Sequence, residues 1–181
     1  MKKTILIIAL ICNFTLLFGE NLYKSTRSIC DWSLTQSQIT GKTTDFNAQV
    51  HRVPDKELST YKNYILNHIS GLDFDGSLKP EIYYQENDQI YRDFIFVNNR
   101  LSAISCRYAL LNEKQFMTIF SDLKKDFGAP ETKREQTTTT HSFKKGDTAA
   151  LFMIRSKAGG FEARLYFYTN DLFKRIIIQV E

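Results

Sequence analysis

Two carboxylates one residue apart, Asp73 and Asp75, stand in the run Gly71-Leu72-Asp73-Phe74-Asp75-Gly76-Ser77-Leu78. Such a pair can carry out phosphoryl transfer. One carboxylate attacks phosphorus, the other exchanges a proton with the leaving oxygen, and both help to hold Mg²⁺. A site of that kind needs both carboxylates held together by the fold, beside further groups that bind the cation and the phosphate. The residues before it, Leu66 to Gly71, have the pattern of a helix end, and the segments after it alternate as antiparallel strands do. Asp-Phe-Asp-Gly-Ser is also ordinary turn chemistry. A calcium loop opening at Asp73 fails on its last ligand, because the twelfth position is Tyr84 where glutamate is needed.

The rest of the chain offers little catalytic chemistry. His51, His68 and His141 show no close ligand spacing, and no Gly-x-Ser-x-Gly occurs. Lys124-Lys125 and Lys144-Lys145 read as solvated charge on a helix and a turn. No cofactor or metal is expected.

The N-terminus gives a destination. Lys2 and Lys3 precede an apolar run from Thr4 to Phe18, Gly19 ends it, and the first acidic residue is Glu20. This is the pattern of a secretory signal peptide, residues 1–19, shorter than a membrane-spanning helix. Its removal leaves residues 20–181 as one domain, with subdomains 20–110 and 111–181 as an alternative, and lowers the formal charge from +4 to +2. So small a charge does not argue for nucleic acid, and no second long apolar run argues for membrane insertion after cleavage. A periplasmic or secreted location is expected.

Cleavage also removes Cys12 and leaves Cys30 and Cys106. In an oxidising compartment the pair can form a disulfide that closes a loop of about 77 residues, worth about 4 kcal/mol if unstrained. Two buried free thiols are the alternative.

The elements around these residues follow from periodicity. Thr35 with Gln38 has capping-box spacing and opens a short helix. Residues 44–50 alternate as a strand, and Pro54-Asp55 opens a helix on Leu58, Tyr61, Ile65 and Ile69. Strands follow near 81–85, 90–97 and 101–109. A second helix spans 112–130, with Asn112 capping and Phe116, Phe120, Leu123 and Phe127 in one stripe. Further strands fall near 133–143, 148–155, 161–168 and 172–180. The expected fold is α+β: an antiparallel sheet of seven or eight strands with two main helices packed on one face, arranged as a helix-plus-meander duplication.

Three stretches resemble known families. The Asp73–Ser77 run resembles the nucleophile motif D-x-D-G-[TS] of haloacid-dehalogenase-type phosphatases, which implies a periplasmic phosphatase with Asp73 as nucleophile and Asp75 as acid/base. "DWSLTQSQI", residues 31–39, is similar to the W-G-[MT]-[ST]-x-x-[EQ]-V opening of small exported bacterial proteins of unknown function. "FVNNRLSAI" to "DLKKDFGAP", within 96–130, resembles their later segment with its [YF]-G-x-P helix stop. Asp31 and Ser33 depart from the pattern around the tryptophan. This second resemblance implies an exported α+β domain and assigns no catalytic residue.

One surface remains. In "FEARLYFY", residues 161–168, Phe161, Ala163, Leu165 and Phe167 face a core, while Arg164, Tyr166 and Tyr168 fall on the other side. If that side is uncovered, its tyrosines suit a protein or peptide partner; if another element covers it, they are core. The sequence therefore favours an exported, non-enzymatic binding module, with the phosphatase as the alternative.

Overall fold

The computed structural model describes residues 23–43, 49–70 and 80–172. Along the chain these form α1 (Gln36–Lys42), β1 (His51–Arg52), α2 (Asp55–Ser70), β2 (Glu81–Glu86), β3 (Ile90–Val97), β4 (Arg100–Leu111), α3 (Glu113–Phe127), β5 (Glu131–Glu135), β6 (Thr138–Lys145), β7 (Thr148–Lys157) and β8 (Gly160–Thr169). Residues 23–27 are also helical. The expected strand at 172–180 and most of that at 44–50 lie outside the described residues.

Local chemistry explains the boundaries. At α3 the Asn112 side chain accepts from the Gln115 backbone N–H, and the Gln115 side chain accepts from the Asn112 N–H. Together they satisfy two donors that an uncapped helix leaves open. Thr35 and Gln38 make the same arrangement at α1. Asn98 and Asn99 both take left-handed backbone angles (φ 52° and 58°), the two-residue turn whose twist suits the β3–β4 hairpin. The single strand expected over 133–143 is in fact a hairpin. Gln136 adopts a left-handed φ of 39° and breaks the run into β5 and β6.

All eight strands join one antiparallel sheet in the order β1-β2-β3-β4-β8-β7-β6-β5. After β4 the chain runs through α3 to the far edge at β5, then meanders back until β8 lies beside β4. Strands from residues 20–110 and from 111–181 therefore share one continuous ladder.

The two long helices pack on opposite faces, not on one. Ile119, Leu123 and Phe127 of α3 meet Phe94, Phe96, Ile104, Phe152, Leu165 and Phe167. Ile65, Leu66 and Ile69 of α2 meet Ile82, Ile95, Val97, Ala103, Leu151 and Tyr166, the alternate residues of the same strands. The reason lies in the strands themselves. In β3 every residue from Arg92 to Val97 is buried, and in β7 every residue from Thr148 to Phe152. A strand buried residue after residue needs cover on both sides. This arrangement gives the helix-plus-meander duplication no support. Repeats meeting at the antiparallel β4–β8 pair would be related by a twofold normal to the sheet, which would leave both helices on one face.

The α3 face is closed further by the N-terminal segment. Tyr23, Ile29, Leu34 and Ile39 join its core, the Tyr23 hydroxyl donates to Asp126 Oδ2 at 2.7 Å, and Trp32 Nε1 donates to Thr148 Oγ1 at 3.0 Å. At the start of β8, a Cβ added to Gly160 would collide with the backbone carbonyl oxygen of Leu111. Backbone cannot move aside as a flexible side chain can. Gly160→Ala is therefore expected to destabilise the protein by about 2 kcal/mol, read as a lower urea midpoint with unchanged slope.

Candidate functional site

Cross-strand pairing lines up the polar side chains of the α2 face in rows. One row runs Tyr84, Asp93, Ser105, Tyr166, Leu151 and Ser142 across β2, β3, β4, β8, β7 and β6. Its centre is buried: Asp93 is 2% exposed, Ser105 1% and Tyr166 0%. The His68 ring, from the last turn of α2, stacks on Tyr166 with centroids 5.9 Å apart. Burial pushes the Asp93 carboxyl up to about 7, against the lowering pull of the Arg107 charge and a hydrogen bond from Tyr91. Asp93 Oδ1 and the Tyr166 hydroxyl have no hydrogen-bond partner among the described residues.

The next row carries the positive charge. Tyr91, Arg107, Arg164, Met153 and Thr140 are successive partners across β3, β4, β8, β7 and β6. The Arg107 guanidinium lies over the Tyr91 ring at 3.9 Å, and Tyr91 stacks on Tyr84 with centroids 5.7 Å apart and planes 3° from parallel. Beyond it, Thr138, Arg155 and Glu162 form the third row. Glu162 sits between Arg164 Nη2 and Lys157 Nζ, each 3.7 Å away.

Where these rows meet the end of α2 they line a cleft of about 200 Å³. His68, Thr138, Met153, Arg155, Glu162 and Arg164 form its walls. Two guanidiniums and one carboxylate give it a net positive lining. Burial lowers the His68 pKa, so its imidazole is held toward the neutral form.

The residues singled out from sequence are distributed differently from expectation. Of the surface expected at Arg164, Tyr166 and Tyr168, only Arg164 reaches the cleft. Tyr166 is core, covered by α2 and His68, and Tyr168 is half-buried against the same cluster. The reason is the helix on this second face. Cys30 and Cys106 stand as free thiols in the structure. Each is engaged by Thr26: the Cys30 thiol donates to its carbonyl oxygen at 3.6 Å and the Cys106 thiol to its hydroxyl at 3.7 Å. Burial pushes both thiols up to about 12. Asp73 and Asp75 lie outside the described residues. Among those described, no group of three or more His, Cys, Asp or Glu is placed to hold a metal ion, and no helix is long and apolar enough to cross a membrane.

Sequence reasoning missed Asp93, Ser105 and Arg107. A signal was present, since Arg92-Asp93 interrupts an otherwise apolar strand and puts one charge on each buried face.

The pH dependence follows with a definite sign. An acid whose folded pKa of about 7 lies above its ordinary 3.8 is protonated in the native state across that window. Stability is then fully present below the lower value, falls as pH rises through the window, and stays reduced above it. Asp93→Asn removes this loss. Relative to the parent it should gain on the order of 2 kcal/mol at pH 8 and nothing at pH 4, measured by urea titration at the two pH values. An equal change at both would rule out the ionisation as its source.

No family model matches this chain, and no curated protein does. Among solved structures, a cysteine-rich secretory protein from Staphylococcus aureus aligns with 61% of this chain and 44% of its own at 8% identity, with a TM-score of 0.34. The chain spans less than half the length of that protein.

Proposed function

We propose that the protein is an exported, non-enzymatic binding module of the cell envelope or the extracellular space, holding a protein or peptide partner on the α2 face of the sheet. The observation that carries this reading is the cleft between the end of α2 and strands β6 to β8, where Arg155, Arg164 and Met153 converge. A cleft of about 200 Å³ is smaller than the pockets of roughly 300–1,000 Å³ that enclose small molecules. It suits one side chain presented by a larger partner, as anchor pockets at protein interfaces do.

Two further points support binding over catalysis. Burial pushes the Cys30 and Cys106 thiols up to about 12, away from the range in which a thiol serves as a nucleophile. Asp93, Ser105 and Tyr166, other polar groups of the α2 face, are buried in the sheet and do not line the cleft. Export is supported by the Lys2–Gly19 pattern.

The module reading predicts that immobilised protein retains a partner from native envelope extract, and that Arg155→Glu lowers the amount retained about tenfold, since a reversed charge in an anchor pocket costs more than 1 kcal/mol. Equal retention by the variant would place the seat elsewhere. Export predicts a mature N-terminus at Glu20 by chemical sequencing; an intact Met1 in the membrane pellet would contradict it.

A further inference from the structure

Resting on the binding role proposed above, the cleft's chemistry points to what it receives. We propose that it takes the carboxylate side chain of an acidic peptide segment on the partner.

Charge gives the first ground. Arg155 makes no ion pair among the described residues, and it stands across the ladder from Glu162, which is drawn instead to Arg164 and Lys157. Arg107 adds a third guanidinium one strand further along, in line with Arg164. The lining therefore carries an excess of positive charge, and its positive groups are guanidiniums, whose planar fork matches a carboxylate with two parallel hydrogen bonds.

The second ground is the mixed character of the walls. Met153 is half-buried in the row between Arg164 and Thr140, so the walls offer thioether surface beside the charge of Arg155 and Arg164. The Thr138 hydroxyl lies on the same side, directly across from Arg155. Methylene carbons below a terminal carboxylate fit walls of that mixed character. Glu162 sets the third condition. Its fixed negative charge lowers the pull of the guanidiniums on any anion, and the Met153 wall then favours a carboxylate carried on methylene carbons over inorganic phosphate, which has no apolar stem.

The test is an NMR titration of ¹⁵N-labelled protein. Three probes are compared: a blocked hexapeptide Gly-Ser-Glu-Ser-Glu-Gly, the same peptide with glutamine for glutamate, and inorganic phosphate. The glutamate peptide should shift the amide signals of Thr138, Met153, Arg155 and Glu162, and the glutamine peptide should bind about tenfold more weakly. Arg155→Gln, an exposed position that leaves the core intact, should weaken the glutamate peptide about fivefold, and raising NaCl from 50 to 500 mM should do the same. Phosphate should not compete. Equal affinity for the glutamine peptide at the same signals would overturn the carboxylate assignment and leave the peptide-binding role standing. Competition by phosphate would overturn it in favour of a general anion site. No shift with either peptide, while envelope partner is still retained by Arg155-dependent capture, would overturn the assignment alone; loss of both would overturn the binding role as well.

Discussion

Everything in this fold hangs on one ladder, the pairing of β4 with β8. Cys106 opposite Leu165 and Ile104 opposite Phe167 join strands separated by the whole of α3 and three other strands. Apart from β1 and β2, which are joined through α2, the other neighbouring strands are held by short turns that form locally. Bringing β4 and β8 together closes the longest loop in the sheet, an entropic cost that local hairpins do not repay. What repays it is burial on both sides of the seam. Leu165 and Phe167 pack under α3, while Tyr166 between them packs under α2. The same ladder sets Ser105 beside Tyr166 and Arg107 beside Arg164. Core and cleft are thus products of one register, and a slip of a single residue would exchange them.

A sheet covered on both faces has no dry side and wet side to sort its polar residues. Asp93 and Arg92 illustrate the outcome: adjacent in β3, they point to opposite faces and both are buried. On the α3 face the Arg92 charge pulls down the pKa of Cys106, although burial still dominates. On the α2 face burial has the larger effect on Asp93, despite Arg107 nearby. Their different settings show why burial alone does not determine the state of a charge; its neighbours in the ladder decide how much of the desolvation is offset.

Much of the architecture was legible in the sequence where the signal is local. The capping residues Asn112 and Gln115, the Asn98-Asn99 turn and the alternation of 161–168 place α3, the β3–β4 hairpin and β8 to within three residues at every end. What was not legible is which side of the sheet each helix takes. Ile65 and Ile69 in α2 have the same spacing as Leu123 and Phe127 in α3, and periodicity says only that one stripe is buried, not against what. Tyr166 shows the effect: its alternation with Leu165 and Phe167 fixes its face, but whether that face meets water or the underside of a helix depends on the side that α2 takes. The clue was the unbroken apolar stretch Phe94 to Val97, which no strand with a wet face would carry. The cleft was illegible for another reason: His68, Thr138, Arg155 and Glu162 are brought together only by the completed sheet.

The far edge of the sheet has a consequence of a different kind. β5 reads Glu-Thr-Lys-Arg-Glu, all five residues are exposed, and Lys133 pairs with Glu135 along the strand. At the other edge, β1 is only two residues long. A strand from a second molecule approaching β5 would have to strip water from four charged side chains within five residues before gaining any backbone bond. Such an edge acts as a chain terminator. The β-rich architecture stays finite in a crowded compartment, where a flat apolar border of the same length would seed growth into fibres.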